Sequence, residues 1–422
     1  MTKAKTLAEG VRFLAIPDAR FKTAKVTVAL FMPLCEDTVA AQALLPYVLS
    51  RSCKAYPDFS ALQQRLSELY GADIVPRVLR VGENQVLTLS AVSLEDRFAL
   101  DGENVTVACV KLLEEMLFHP VLENGVFREA DVQQEKRCLK EQIESEINDK
   151  RLYARRECER LLCKGEPYAI SLCGTVEQVS AVTPALLTET WKRVLAEAQV
   201  LIVHQGQGAG EEVGRALSDA FSRLPRRPLQ PVKAVVKAAP ETVERQTKRI
   251  DVKQAKLVMG FRTETAEPSS EMAAMRLFNA LWGGCFSSLL FLNVREKLSL
   301  CYYCSSSFDR YKGVFLVDSG VEEAKAAEAE AEILRQLDVI QRGAFTEEEL
   351  ENARRAVVNQ FKEATDSPAA LVTWYVGQGA GERFLSPEEA TEEVVLVTRE
   401  QVAAVAADVK LACVYCLCGE AK

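Results

Sequence analysis

Histidine is almost absent from this chain. Its 422 residues hold two, His119 and His204, which stand 85 positions apart. No helical turn can therefore carry a histidine pair, and a metal site or proton relay built from several imidazoles is excluded. Positive charge is also short: 52 Lys and Arg against 60 Asp and Glu leave a formal net charge of −8. That balance argues against a nucleic-acid binder, which needs a basic face. No stretch approaches the roughly 18 uncharged apolar residues that cross a bilayer, so no membrane span is expected. The opening Met1-Thr2-Lys3-Ala4-Lys5-Thr6-Leu7-Ala8-Glu9-Gly10 lacks an apolar core, so no secretory leader is expected either. Thirteen cysteines, an odd number, then suggest reduced thiols in a cytoplasm.

What the chain has is one pattern written twice. Lys22-Thr23-Ala24-Lys25-Val26 reads like Lys253-Gln254-Ala255-Lys256-Leu257, and Arg65-Leu66-Ser67-Glu68-Leu69-Tyr70 reads like Lys297-Leu298-Ser299-Leu300-Cys301-Tyr302. Phe127-Arg128-Glu129-Ala130-Asp131-Val132 reads like Phe345-Thr346-Glu347-Glu348-Glu349-Leu350, and Ser180-Ala181-Val182-Thr183 like Val395-Leu396-Val397-Thr398. The order is kept, and the offset drifts from 231 residues at the first pair to 215 at the last. This period is far longer than that of solenoid repeats, so it marks a tandem duplication of a whole domain. Each copy, near 200 residues, is long enough for its own core. The expected domains are 1–224 and 243–422. The linker 225–242 opens with three prolines, Pro225, Pro228 and Pro231.

Each half mixes strand and helix signals. Val26–Phe31 and Leu257–Phe261 are β-rich runs, and Gln85–Val92 alternates as a strand with one buried face, echoed by Gly313–Gly320. Helical patterns cover Glu129–Ile147 and Glu323–Gln341, and Thr346 followed by three glutamates predicts an N-cap and an acidic first turn. The expected fold is α+β: two homologous domains, each a mostly antiparallel sheet with helices packed on one face.

Phe291-Leu292-Asn293-Val294-Arg295-Glu296-Lys297-Leu298-Ser299-Leu300-Cys301-Tyr302, after Trp282-Gly283-Gly284 in a loop before a helix, resembles the Arg-Glu-Lys-x-x-Leu-x-Tyr segment of the insulinase and pitrilysin zinc metallopeptidases. That family is also built from tandem homologous α+β domains. The resemblance implies a zinc motif, His-x-x-Glu-His, on a helix of the first half, just before Tyr56-Pro57. Here the ligand and base positions fall on Ala43, Pro46 and Tyr47, and the later glutamate ligand on Gln142, or on Glu141 with a one-residue shift. Neither Ala43 nor Pro46 has a donor, tyrosine is a poor zinc ligand, and one carboxylate cannot hold zinc. The chain therefore resembles the family without its metal site, and no cofactor is expected in it.

The resemblance implies a role for Arg295 and Tyr302. In active members the matching pair faces zinc across a chamber, binding the substrate backbone and stabilising the oxyanion. A guanidinium and a phenol are suitable donors for both tasks. Chains of this length often pair, one bringing zinc and the other the arginine and tyrosine. The expected partner is thus a zinc-bearing homologous subunit, and the expected ligand a peptide or unfolded polypeptide. A stand-alone peptide-binding scaffold is the alternative reading, and an active peptidase with another metal arrangement a third.

Other residues have plainer readings. Arg65 and Tyr70 could make the Arg295 and Tyr302 positions merely structural. His119 reads as a capping or packing residue at a pre-helix turn, and His204 as a solvent-facing strand end. Cys416 and Cys418 share a strand face with Cys413 on the other, so three thiols would not converge on a metal. Gly377-Gln378-Gly379-Ala380-Gly381 follows no strand and has no lysine, which argues against a nucleotide loop.

Overall fold

The computed structural model describes residues 4–420. The chain forms two compact units that interleave in sequence. One comprises residues 1–144, 170–232 and 363–386, the other 145–169, 233–362 and 387–422. One unit boundary, between Val232 and Lys233, falls just after Pro231, within 225–242.

The first unit is built on six strands: β1 (Lys5–Ala8), β2 (Val11–Ile16), β3 (Thr23–Pro33), β4 (Asp73–Val81), β5 (Asn84–Leu94) and, later in the chain, Gln199–Gln205. A two-residue hairpin, β6 (Leu122–Glu123) and β7 (Val126–Phe127), precedes that last strand, which is therefore β8. The order is β1-β2-β8-β3-β5-β4, antiparallel except for β2 with β8. The second unit contains β9 (Glu244–Arg249), β10 (Ala255–Arg262), β11 (Cys301–Asp309), β12 (Val314–Val321) and β13 (Lys410–Cys418), in the order β11-β12-β10-β13-β9. It too has one parallel pair, β13 with β9. Five strands correspond in order, β2-β8-β3-β5-β4 with β9-β13-β10-β12-β11, as the duplication requires, and β1 has no counterpart. The edge strand β9, Glu-Arg-Gln-Thr-Lys-Arg, is exposed along its whole length, and its charges discourage unwanted pairing.

β3 explains how the layers form. Val26, Val28, Leu30 and Met32 point into the main core beneath the helices. Ala29 and Phe31 are equally buried but point the other way, so the strand reads as a continuous apolar run. The main helical layer includes Val39–Leu49, which buries ten of its eleven residues because it is apolar all round. The opposite face takes the helix Pro368–Val376, contributed by the second sequence repeat. The turn after it approaches so closely that a Cβ on Gly379 would lie 2.3 Å from the Phe31 ring.

The exchange is reciprocal. The helix Lys150–Leu162, from the first repeat, packs on β10 and β13 of the second sheet through Ala154, Cys158 and Leu162. Beyond it Glu166 accepts from Arg262 at 2.5 Å and pairs with buried Lys312 at 2.6 Å. Repeat pairing extends to the caps: Thr183 and Thr398 each accept at the N-terminus of a corresponding helix. Thr346 forms the expected cap, accepting from Glu349 N–H at 3.1 Å while the Glu349 carboxylate accepts from Thr346 N–H at 2.7 Å.

One pairing from the sequence shifts by four residues. Gly71 and Ser299 both have positive φ, 73° and 50°, and they close equivalent helix ends: Ala72 N–H donates to Leu66 C=O, and Leu300 N–H to Val294 C=O. Tyr70 therefore sits in the helix-end turn, with its hydroxyl accepting from Leu100 N–H at 3.0 Å. Its structural counterpart is Leu298, not Tyr302.

Candidate functional site

The four positions of the expected metal site lie in the first unit. Ala43 and Pro46 are buried in the helix Val39–Leu49, and Pro46 forfeits an internal hydrogen bond there. Neither offers a donor. Tyr47 is half-buried. Its phenol is pushed above its ordinary value by burial and then by Cys173, with Arg77 opposing. Glu141 and Gln142 are exposed near the end of the helix Glu129–Ser145.

A residue the sequence did not single out neutralises the nearby acids. Arg51, one turn beyond Tyr47, pairs with Asp131 at 3.0 Å and Glu135 at 2.7 Å, and Arg128 reaches Asp131 at 2.8 Å. These carboxylates, one turn apart on one helix, are held by guanidinium groups rather than left for a dication. Among the described residues, no group of three His, Cys, Asp or Glu side chains is placed to hold a metal ion. The residues present do not fit zinc.

The two histidines are far from such a role. His119 is exposed and ends the helix Val105–Phe118, donating its N–H to Glu115 C=O at 2.8 Å; it follows a helix rather than preceding one. His204 is not solvent-facing as expected. It is 2 % exposed on β8, with Gly206 and Gly210 against its ring, and burial pulls its pKa down to about 4. On β13 Cys416 and Cys418 share a face, sulfurs 3.1 Å apart, while Cys413 meets Cys158 at 3.6 Å on the other.

Arg295 and Tyr302 are built differently. Trp282-Gly283-Gly284, expected as a loop, is a π-helical turn, and Trp282 is fully buried against Phe261, Phe278 and Phe315. A Cβ on Gly283 would lie 2.6 Å from the Ser306 backbone nitrogen, so glycine lets this turn approach β11. Arg295 lies on the following π-helical segment, Leu290–Lys297, where Leu298 N–H donates to Asn293 C=O at 3.1 Å. Its guanidinium lies over the Phe291 ring at 4.6 Å, and its side chain is 39 % exposed. Tyr302 lies on the edge strand β11. Cys301 faces Val321 and Tyr303 faces the next residue back, Gly320, so Tyr302 is the extra residue of a β-bulge. It is 62 % exposed. Around the pair, Phe286 is 84 % exposed and meets Phe291 edge-to-face at 5.5 Å, with Leu292 and Leu298 also exposed. The arrangement offers a cation, a phenol and apolar rings on one edge of a sheet. Nothing in the sequence marked the bulge, although Phe286 in a Gly-Cys-Phe-Ser-Ser run was a legible signal.

Residues 181–357 match the family described as "Peptidase M16 inactive domain". A Bacillus subtilis (strain 168) protein named "Probable inactive metalloprotease YmfF" is 30 % identical, across 99 % of this chain and 98 % of that one. The chain belongs to the M16 peptidase family. A conserved protein from Enterococcus faecalis V583 superposes with a TM-score of 0.88 at 29 % identity, over 100 % of this chain and 99 % of the other. An M16 inactive domain from Pseudomonas fluorescens superposes with a TM-score of 0.81 at 20 % identity, over 100 % and 98 % of the two chains. Without His-x-x-Glu-His, this M16 chain is a non-catalytic homologue of the family's metallopeptidases. Among its described residues, no helix is long and apolar enough to cross a membrane.

Proposed function

We propose that this M16 homologue is the non-catalytic subunit of a heteromeric zinc peptidase of a reducing compartment such as the cytoplasm. It pairs with a homologue carrying His-x-x-Glu-His and zinc, and the two enclose a chamber for peptide or unfolded polypeptide. This chain supplies Arg295 and Tyr302 to the substrate backbone. The observation that carries the reading is the exposure of Tyr302. Tyr302 is lifted out of β11 by a bulge and is 62 % exposed. Bulges commonly re-aim side chains beside functional sites.

Co-expression with a zinc-motif homologue, followed by peptide-cleavage kinetics, tests this. Arg295→Ala and Tyr302→Phe are each expected to lower kcat/KM by about 100-fold, the scale of losing one oxyanion donor. Unchanged kinetics would remove the assigned role of the pair. A chain that binds peptide yet never assembles with such a homologue would favour the stand-alone scaffold. The exposed Phe286 ring, edge-to-face with Phe291, suits that second reading as well.

A further inference from the structure

Three helices of the first unit leave a cavity between them. It has a volume of about 330 Å³ and is lined by Val105–Phe118, Pro184–Glu197, Gly210–Ser222 and the turn that follows the last of these. Its walls are held in place. Trp191 bridges two of the helices, with its indole N–H donating to Leu117 C=O at 2.7 Å. Phe118 rests edge-to-face on Phe221, ring centroids 5.0 Å apart. Ala196 and Ala220 are the smallest side chains in the lining and leave the room beside these rings. The volume is at the lower end of the range for small-molecule sites.

Inside, the cavity gives a ligand little to hydrogen-bond. Carbonyl groups at the helix ends around it are already taken: Leu117 C=O by Trp191, Ala196 C=O by Arg227 N–H at 2.9 Å, and Leu195 C=O by the Arg226 guanidinium. A peptide entering it would leave amide groups unpaired, whereas an alkyl chain would not. The charges in the lining stand toward solvent: Lys192 and Arg223 are exposed and Glu114 is half-buried. Among the described residues, none of these three side chains has an ion-pair or hydrogen-bond partner. Two cations against one acid give the mouth a positive balance. An apolar interior under a cationic rim complements a ligand that is apolar at one end and anionic at the other.

We propose that this cavity binds a medium-chain fatty acid, with its tail between Trp191 and Phe118 and its carboxylate at Lys192 and Arg223. The chain length follows from the volume: about ten carbons, each taking roughly the 30 Å³ of a liquid water, fill it. The Arg223 guanidinium can hold both carboxylate oxygens, and the Lys192 ammonium adds a point charge. Neither Arg295 nor Tyr302 takes part, so the site stands or falls independently of peptide binding.

Isothermal titration calorimetry of the full chain with sodium decanoate, below its micelle concentration, tests this. One molecule per chain is expected. Octanoate should bind about tenfold more weakly, the worth of two buried methylenes. Decanol keeps the tail and loses the charge, so it should bind several-fold more weakly than decanoate. Arg223→Glu and Lys192→Glu change exposed side chains, and each should weaken decanoate several-fold while leaving decanol unchanged. ω-Bromodecanoate should quench Trp191 fluorescence, and Trp191→Phe should remove that quenching, because Trp282 and Trp374 are not in the lining. No saturable heat with decanoate, or equal affinities for octanoate and decanoate, would overturn the site without recourse to any variant. Quenching that persists in Trp191→Phe would put the tail elsewhere and overturn it too. Equal binding of decanol and decanoate would overturn the carboxylate assignment. Competition between decanoate and fluorescein-labelled casein would make the cavity a polypeptide site and overturn the fatty-acid assignment.

Discussion

Arg155, from the first sequence repeat, donates to Asp318 of the second at 2.5 Å. Arg151 reaches the other carboxylate oxygen at 2.5 Å, and the Asp318 side chain is 1 % exposed. One acid on β12 thus holds the exchanged helix Lys150–Leu162 by two guanidinium groups, while Ser305 adds a bond at 3.2 Å. The duplication alone would have assigned this helix to the other sheet.

Asp318→Asn should therefore loosen the second unit. It keeps the volume but removes the charge from a buried double pair whose arginines stay partly solvated. The expected cost is about 2 kcal/mol. Thermal denaturation should show a Tm lower by roughly 4–8 °C. An unchanged Tm would mean that apolar packing alone holds the helix.

Stability should fall on mild acidification because of His204. Its folded-state pKa, about 4, lies below the ordinary value near 6.5 because the ring is buried; Asp96 opposes this weakly. The unfolded chain takes up the proton first, so the contribution is complete above about pH 6.5 and is lost as pH falls toward about 4. The amount is on the order of 3 kcal/mol. Urea midpoints across that window should slope less for His204→Gln than for the parent chain. Parallel slopes would place the titration elsewhere.

Zinc should not accompany the purified chain. Ala43 and Pro46 offer no donors, and Arg51 occupies Asp131 and Glu135. Elemental mass spectrometry without added metal is expected to find well under one zinc per chain, and a chelator should leave the Tm unchanged. A value near one that survives dialysis would reveal a site built from other groups.

Phe286→Ser should separate binding from folding. An 84 % exposed ring contributes little to stability, so the change in unfolding free energy should stay within about 0.5 kcal/mol. Binding of labelled casein should weaken several-fold, as loss of an exposed aromatic contact predicts. Full binding by this variant would confine recognition to Arg295 and Tyr302.

The sequence by itself determined the duplication, the fold class and the lack of a metal motif. Strand alternation, capping residues such as Thr346 and the two-histidine count are local signals, readable without knowing what touches what. Arg295 and Tyr302 were legible as a motif for the same reason. Only the tertiary structure decided which sheet each exchanged helix covers, because Lys150–Leu162 and Pro368–Val376 would fit either copy of a repeated pattern and are assigned by contacts such as Asp318 with Arg155 and Gly379 with Phe31. It also decided that His204 is buried, since its strand is covered on both faces. The bulge at Tyr302 is a register shift between β11 and β12. A register belongs to a pair of strands, and neither strand's sequence specifies it alone.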